Sequence, residues 1–130
     1  MKKDYFRTGV EDYLSRIQHF VPIEWVEVAS EEKLIQRLPP GGLYIGLAVK
    51  GRSLTSEALA QKIQEWQNHS QKNIAFIIGN AFGLSENLLQ QTHQQWSLSS
   101  FTLAHELAVL VLCEQVYRAF TILKGLPYHK

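Results

Sequence analysis

The carboxyl-terminal segment LKGLPYHK gathers side chains that can contact nucleic acid or exchange protons. Tyr128 and His129 follow Lys124 closely, and Arg118 lies upstream on the same predicted helix. An aromatic ring can stack on an unpaired base, a cation can contact a phosphate, and an imidazole can exchange a proton near neutral pH. The alternative is a solvated tail without chemistry, since chain termini are commonly exposed and weakly ordered.

The stretch IAFIIGNAFGLSENLL places two glycines four residues apart at the end of an apolar, β-branched run. Gly79 and Gly83 could let bare backbone approach a ligand, because glycine lacks a Cβ and reaches backbone angles closed to other residues. The stretch has neither the lysine of a Walker loop nor the third glycine of a dinucleotide-binding fingerprint, which excludes both motifs. A ligand-facing turn and a purely structural tight turn both stay open.

The segment HELAVLVLCE raises two further possibilities, a metal site and a thiol nucleophile. His105, Cys113 and Glu114 are ligand types, but the second histidine of a zinc-protease helix is missing. Two helical turns separate His105 from Cys113, and a buried cysteine usually acts as a small apolar side chain. We therefore expect neither a metal ion nor a cysteine nucleophile.

The composition is that of one globular domain spanning residues 1–130. Apolar residues make up 45% and charged residues 19% of the chain, with a net charge of +1. So small a charge would not by itself attract nucleic acid or an anionic membrane, so any RNA contact must come from a local patch. The sequence lacks a signal-peptide core and a run of about 18 apolar residues, so we expect a cytoplasmic protein that does not enter a membrane.

Apolar periodicity predicts alternating helices and strands. The predicted elements are a helix from Phe6 to Ile17, a strand from Ile23 to Ala29, a short helix behind Ser30, a strand from Leu43 to Val49, a helix through Leu59, Ile63 and Trp66, a strand at NIAFIIG, a helix behind Ser85, a short extended piece at WSLSS, and a long helix that Gly125 ends. KGRSLTS is predicted to be a loop. The alternation indicates an α/β domain with a mainly parallel sheet, which binds ligands at the carboxyl ends of its strands. The long helix is too apolar for a solvated one, which predicts that it is central or forms an oligomer interface.

Three segments carry a resemblance to a known family. IIGNAFGLS, WSLSSFTLAHEL and EQVYRAFTILKGLPYHK are similar, in order and spacing, to the RlmH family of SPOUT methyltransferases. YFRTGVEDYLSRI resembles the first helix of the family, and LYIGLAVKGRSLTSEALAQKI resembles its middle strand, loop and helix. The resemblance therefore covers nearly the whole chain.

The resemblance implies a SPOUT-type parallel sheet flanked by helices, with a carboxyl-terminal trefoil knot, in a homodimer. It implies methylation of N3 of a pseudouridine in large-subunit ribosomal RNA, on the ribosome, with S-adenosyl-L-methionine as cofactor. The cofactor would be held in the knot, largely by backbone groups. The implied cofactor-binding residues are Leu47, Gly79, Asn80, Gly83, Ser99, Ser100, Phe101, Thr102, Leu103 and Ala104.

The resemblance also implies that Arg118, Tyr128 and His129 lie near the transferred methyl group, across the dimer interface. His129 could accept the N3 proton. Arg118 could instead bind a phosphate or pair with Glu114 one turn earlier.

Four features depart from the family pattern. The apolar strand that usually precedes the first helix is missing, Asn80 replaces the second glycine of the turn, Ala104 replaces a proline, and Val109 replaces an arginine. These changes keep two alternatives open: a catalytically degenerate SPOUT-like homodimer that serves as an interaction module, and an unrelated α/β regulator.

Overall fold

The computed structural model describes residues 4–79 and 83–129. Within these ranges the elements are α1 (Asp4–Ile17), α2 (Glu31–Arg37), β1 (Leu43–Ser53), α3 (Ser56–Asn68), β2 (Ile74–Ile78), α4 (Glu86–Gln91), β3 (Gln94–Ser97) and α5 (His105–Lys124). From Leu43 onward, the predicted alternation of strands and helices is therefore confirmed.

The described strands form one sheet in the order β2-β1-β3. β1 pairs in parallel with both neighbours, with Ile45 opposite Phe76 on one side and Gln94 on the other. Parallel neighbours require crossover connections, and α3 and α4 lie in the two connections between the strands. The predicted parallel α/β sheet is confirmed.

Both faces of the sheet are covered. Ile45 is fully buried and belongs to a core cluster that α1, α3 and α5 share, which includes Ile17, Ile63 and Phe120. On the opposite face, a Cβ added to Gly46 would meet Leu84 and Thr92 within about 3 Å, so the α4 region packs directly on the strand there. Coverage of both faces explains why β1 begins as an uninterrupted apolar run.

Short polar side chains set the starts of three helices. Ser30, Thr55 and Ser85 each accept a hydrogen bond from the backbone N–H three residues later, at 3.2, 3.0 and 3.1 Å. These bonds satisfy N–H groups that have no partner within the helix. Gly125 ends α5 in the left-handed conformation, with φ of 68°. The helix starts predicted at Ser30 and Ser85, and the stop at Gly125, are confirmed.

Residues 23–29 are not a strand, so that prediction is wrong. Their alternating apolar side chains pack on the helices instead: Ile23 on the main core, and Trp25 on a smaller cluster between α1 and α5. An ion pair of 3.1 Å between Arg7 and Glu27 also fastens the segment to α1. Packing on helices can satisfy a period-two pattern without a partner strand.

The predicted loop at KGRSLTS begins as strand, because β1 continues to Ser53. The continuation is irregular, since Leu47 and Arg52 are both in register with Trp96. Residues 48–51 therefore bulge out of the ladder, which re-aims their side chains.

The long helix α5 is central. It packs against α1 and α3, and Val109, Leu112, Cys113, Val116, Ala119 and Phe120 are buried. Val109 is only 4% exposed and packs with Val10 and Cys113. A cation at that position would be enclosed between two helices, so valine suits the packing of this chain.

We predict that Ile45→Ala lowers the free energy of unfolding by about 2–5 kcal/mol, because it removes a fully buried side chain from the central strand. Val49→Ala is the matched control on the same strand, since Val49 is 51% exposed, and it should cost less than about 1 kcal/mol. Urea denaturation of both variants measures the difference. Equal losses would show that Ile45 is not the core residue described.

Candidate functional site

A cavity of about 500 Å³ lies where the three strands end. The first regular part of β1 leads into it at Leu47, β2 ends there at Ile78, and β3 ends at Ser97. The lining residues are Leu47, Ala48, Val49, Ile78, Gly79, Gly83, Ser97, Leu98, Ser99, Phe101, Thr102, Leu103, Ala104, His105, Glu106 and Ala108. This is the edge at which parallel α/β sheets bind their ligands.

Most of the residues expected to hold a cofactor meet in this cavity. They are Leu47, Gly79, Gly83, Ser99, Phe101, Thr102, Leu103 and Ala104. Ser100 is exposed and does not line it, and Asn80 lies outside the described residues. The structure thus brings together three segments that are far apart in sequence.

The two glycines of the turn have separate structural requirements. A Cβ on Gly79 would lie 2.5 Å from the carbonyl oxygen of Gly83, closer than real contacts allow. Gly83 has φ of 82°, a region that other residues rarely adopt. Gly79 and Gly83 thus have structural reasons to be glycine and also line the cavity, where they present bare backbone to any bound ligand.

The β1 bulge and the loop before α5 form other parts of the wall. Ala48 and Val49 reach the cavity from the bulge. In the loop, Ser97 Oγ donates to the carbonyl of Ser99 at 2.8 Å, and Ser99 Oγ accepts from the N–H of Phe101 at 2.9 Å. These local bonds shape the backbone of the loop, in which Phe101 is 81% exposed.

Ala104 takes the N-cap position of α5 without a side-chain cap. Its φ of −58° and ψ of 148° lie in the range of proline. Alanine at this position therefore keeps the backbone that the proline of the family pattern would impose.

His105 and Glu106 also line this cavity, although their sequence pattern did not predict it. Glu106 supplies the one carboxylate among the described lining residues. His105 Nδ1 lies 2.7 Å from the carbonyl oxygen of Gly79. The signal that could have found them is their position, directly after the loop and on the first turn of α5.

A smaller cavity of about 300 Å³ adjoins the first through Ser97 and Leu98. It lies between α3 and α5, where Ser56 Oγ donates to Gln115 Oε1 at 2.5 Å. Apolar side chains from both helices, including Leu59 and Leu112, line the rest of it.

The carboxyl-terminal residues cluster around Glu114. Its Oε2 accepts from Arg118 Nη2 at 2.7 Å, from Arg118 Nε at 3.0 Å and from Tyr128 Oη at 2.8 Å. The Arg118 guanidinium also lies over the Tyr128 ring, 4.7 Å from its centre. Arg118 therefore pairs with Glu114, as one of the alternatives had it, and also holds the tail.

His129 bridges Arg118 and α3. Arg118 Nη1 lies 3.0 Å from His129 Nδ1, and His129 Nε2 lies 3.4 Å from Glu57 Oε2. A guanidinium can only donate, so Nδ1 must accept and the proton of the neutral ring lies on Nε2, facing the carboxylate.

Tyr128 is fastened to α1 as well. Its hydroxyl lies 3.1 Å from that of Tyr13, and its ring meets Tyr117 edge-on at 4.8 Å between centres. Burial, together with the hydrogen bonds to Tyr13 and Glu114, raises the pKa of Tyr128 well above its ordinary value. The hydroxyl therefore stays protonated and acts as a donor to Glu114.

Glu114 carries the charge that holds this cluster together. Burial would raise its pKa, but the hydrogen bonds from Arg118 and Tyr128 outweigh burial and lower it. The side chain is 20% exposed and that of Arg118 is 25% exposed, so water screens the pair only in part. The carboxylate is thus ionised and paired at neutral pH.

The cluster and the cavity are separated within one chain. Ala108 is the last residue of α5 that lines the cavity, and Arg118 follows ten residues later. At 1.5 Å per residue the two are about 15 Å apart along the helix axis. Glu114, at the centre of the cluster, follows Ala108 by six residues, or about 9 Å, so the cluster is displaced from the cavity along α5.

Cys113 packs in the core rather than at either site. It is 8% exposed, and burial raises the pKa of its thiol to about 11. The thiolate needed for nucleophilic attack is therefore scarce. Among residues 4–79 and 83–129, no group of three or more His, Cys, Asp or Glu side chains could hold a metal ion. No helix of the described part is long and apolar enough to cross a membrane.

Comparison with known proteins gives the class. A family model described as "Predicted SPOUT methyltransferase" matches residues 1–129. The chain belongs to the SPOUT methyltransferase family, which confirms the resemblance read from its motifs. The three-stranded parallel sheet with helices on both faces is consistent with that fold.

Individual relatives indicate which kind of SPOUT methyltransferase the chain is similar to. A Halothermothrix orenii protein named ribosomal RNA large subunit methyltransferase H is 37% identical over 149 residues, covering 100% of this chain and 94% of the relative. Proteins with the same name from Limosilactobacillus fermentum and Bacillus pumilus are 35% and 34% identical, with the same coverage. The similarity therefore includes both the cavity and the carboxyl-terminal cluster.

We predict that Glu114→Gln lowers the free energy of unfolding at pH 7 by about 1–3 kcal/mol, because a neutral amide replaces the charged acceptor of Arg118 and Tyr128. Since the pKa of Glu114 is lower in the folded state, the stability it provides is present above the unfolded value of about 4.3 and is lost as pH falls through the folded value. Urea denaturation between pH 3 and 7 measures both effects.

The matched control is Glu65→Gln, since Glu65 is 60% exposed and lies 4.0 Å from Lys62 in a solvated pair. It should change stability by less than about 0.5 kcal/mol. If Glu114→Gln retained the full acid-induced loss of the wild type, Glu114 would not be the group responsible.

Proposed function

We propose that this chain methylates ribosomal RNA of the large subunit, on N3 of a pseudouridine, as a homodimer that uses S-adenosyl-L-methionine. The observation that supports the proposal most is the cavity at the three strand ends, in a chain of the SPOUT methyltransferase family. The relatives described above carry the name ribosomal RNA large subunit methyltransferase H. Ribosomal RNA is therefore the substrate class that we assign.

The cavity fits the proposed cofactor in size and character. Its volume of about 500 Å³ falls within the roughly 300–1,000 Å³ usual for small-molecule sites. Leu47, Ile78 and Leu98 offer apolar walls suited to an adenine ring and a methylene chain. The bare backbone of Gly79 offers polar groups at close range, and the carboxylate of Glu106 complements the positive charge of a sulfonium compound.

When bound, S-adenosyl-L-methionine would supply an electrophilic methyl group. The loops of the cavity would orient it, since positioning two reactants correctly removes much of the barrier to a displacement. The pseudouridine N3 must lose its proton as the carbon–nitrogen bond forms, so the site must offer a proton acceptor or a cation. Arg118, Tyr128 and His129 are the residues that we assign to this part of the reaction.

The contacts of His129 set a condition on its role. Its Nδ1 lone pair accepts from Arg118, so this nitrogen can take the N3 proton only after Arg118 turns towards the RNA. Glu57 would then face an imidazolium rather than a neutral ring. Binding of an RNA phosphate by Arg118 could therefore free the Nδ1 lone pair of His129 to accept the proton. Arg118 would then exchange its pairing with Glu114 for a phosphate contact, the two roles considered for it.

The position of the carboxyl-terminal cluster relative to the cavity supports the dimer in this proposal. Arg118 lies about 15 Å along α5 from Ala108, the last residue of that helix to line the cavity, and a partner copy would place a second tail beside the cavity. Phe101 and Val49 at the cavity are 81% and 51% exposed, as suits surfaces covered by a partner or by RNA. The trefoil knot and the cytoplasmic location are further parts of the proposal, supported by the family alone.

The interaction-module alternative receives less support. It requires that a chain similar over its full length to proteins named methyltransferases has lost the activity. Ala104 keeps a proline-like backbone, and Val109 has a packing role, so neither departure damages the described cavity.

We predict that the wild-type protein binds S-adenosyl-L-homocysteine and that Thr102→Trp weakens this binding at least tenfold. Thr102 is exposed and lines the cavity, so an indole there would occupy ligand space without disturbing the core. Isothermal titration calorimetry measures the affinity. Transfer of a radioactive methyl group to ribosomes that lack the modification then tests the reaction.

Ser100→Trp is the matched control, because Ser100 is an exposed neighbour that does not line the cavity. It should bind within about twofold of the wild type, a difference of less than about 0.5 kcal/mol. A folded wild-type protein that bound neither S-adenosyl-L-methionine nor its demethylated product would refute the proposed function. Unchanged binding by Thr102→Trp would place the ligand elsewhere.

A further inference from the structure

His105 joins two walls of the cavity that come from distant parts of the chain. It is the first residue of α5, and its Nδ1 lies 2.7 Å from the carbonyl oxygen of Gly79, 26 residues earlier. Both residues line the cavity. The bond therefore connects the glycine turn after β2 to the start of α5, directly after the loop 99–104.

The chemistry of the pair fixes the position of the proton. A carbonyl oxygen only accepts, so Nδ1 must carry the hydrogen and donate it. In the neutral ring Nε2 then holds the lone pair, and among the described residues it has no hydrogen-bond partner. The hydrogen bond that one ring nitrogen makes selects the tautomer, and here it selects Nδ1–H.

We propose that His105 is a positioning residue of the cofactor cavity, which fastens the Gly79 carbonyl and so sets the spacing between the turn and the loop that face the ligand. This inference rests on the proposed function. Gly79 has no side chain with which to anchor itself, and Ala104 gives the start of α5 no side-chain cap. His105 contacts neither the RNA base nor the methyl group in this role.

Two substitutions test the hydrogen bond itself, because both introduce an amide but only one amide can donate to Gly79. The amide nitrogen of asparagine can occupy the place of Nδ1, whereas that of glutamine reaches the place of Nε2. His105→Asn should therefore keep the bond to Gly79, and His105→Gln should lose it. Removing one hydrogen bond typically corresponds to a change of roughly three- to tenfold in an equilibrium constant.

The test uses the full-length protein and S-adenosyl-L-homocysteine as the probe. Calorimetry should show His105→Gln binding roughly three- to tenfold more weakly than the wild type, and His105→Asn binding within about twofold. The KM for S-adenosyl-L-methionine should rise in His105→Gln while kcat at saturation is kept, which a general loss of structure would not produce. His69→Gln, which removes an exposed imidazole outside the cavity, should change neither.

A second measurement needs no variant. Nitrogen-15 NMR of the imidazole in the wild-type protein should show the proton of the neutral ring on Nδ1. A proton on Nε2, or equal binding by His105→Gln and the wild type, would overturn the positioning role while the proposed function stood. A wild type that bound no cofactor would instead overturn the proposed function, and the positioning role with it.

Discussion

The rigid length of α5 is the constraint on which the rest of the structure depends. The helix starts at the cavity with His105 and ends at Lys124, and Gly125 caps it just before the tail that folds back on Glu114. Its buried face holds α1 and α3 in place, so both sites are fixed to one packed element. Because a helix cannot shorten, Ala108 at the cavity and Arg118 in the cluster stay about 15 Å apart along the axis in any single copy.

The cavity itself depends on backbone more than on side chains. Gly79 lies too close to Gly83 to carry a Cβ, the β1 bulge brings Ala48 and Val49 to the cavity wall, and serine hydroxyls shape the loop before α5. A cavity wall made of main chain tolerates side-chain substitutions as long as the backbone conformation is kept. This explains how Ala104 can stand where the family pattern has a proline, since its φ is that of a proline.

Local patterns in the sequence were enough to predict the helices, their caps at Ser30 and Ser85, and the parallel sheet, because caps and periodicity act over a few residues. The strand predicted at 23–29 is wrong, because Trp25 in its alternating apolar pattern packs on helices that are distant in sequence rather than on a neighbouring strand. The family resemblance was enough to predict the loops of the cavity. The bond between His105 and Gly79 joins residues 26 apart, so it follows only from the three-dimensional structure. The spacing of Arg118 and Glu114 was enough to predict their pairing, but not that the same carboxylate also accepts a hydrogen bond from Tyr128 in the tail.

The most direct test of a site shared between two copies is complementation in mixed dimers. Thr102→Trp would block the cavity and His129→Ala would remove the tail imidazole, so each homodimer should be nearly inactive in methyl transfer to ribosomes. Random mixing makes about half of the dimers mixed, each with one intact site of two, so the mixture should recover about a quarter of the wild-type rate. No recovery in dimers shown to be mixed would contradict the account and place the cavity and the tail in separate functions.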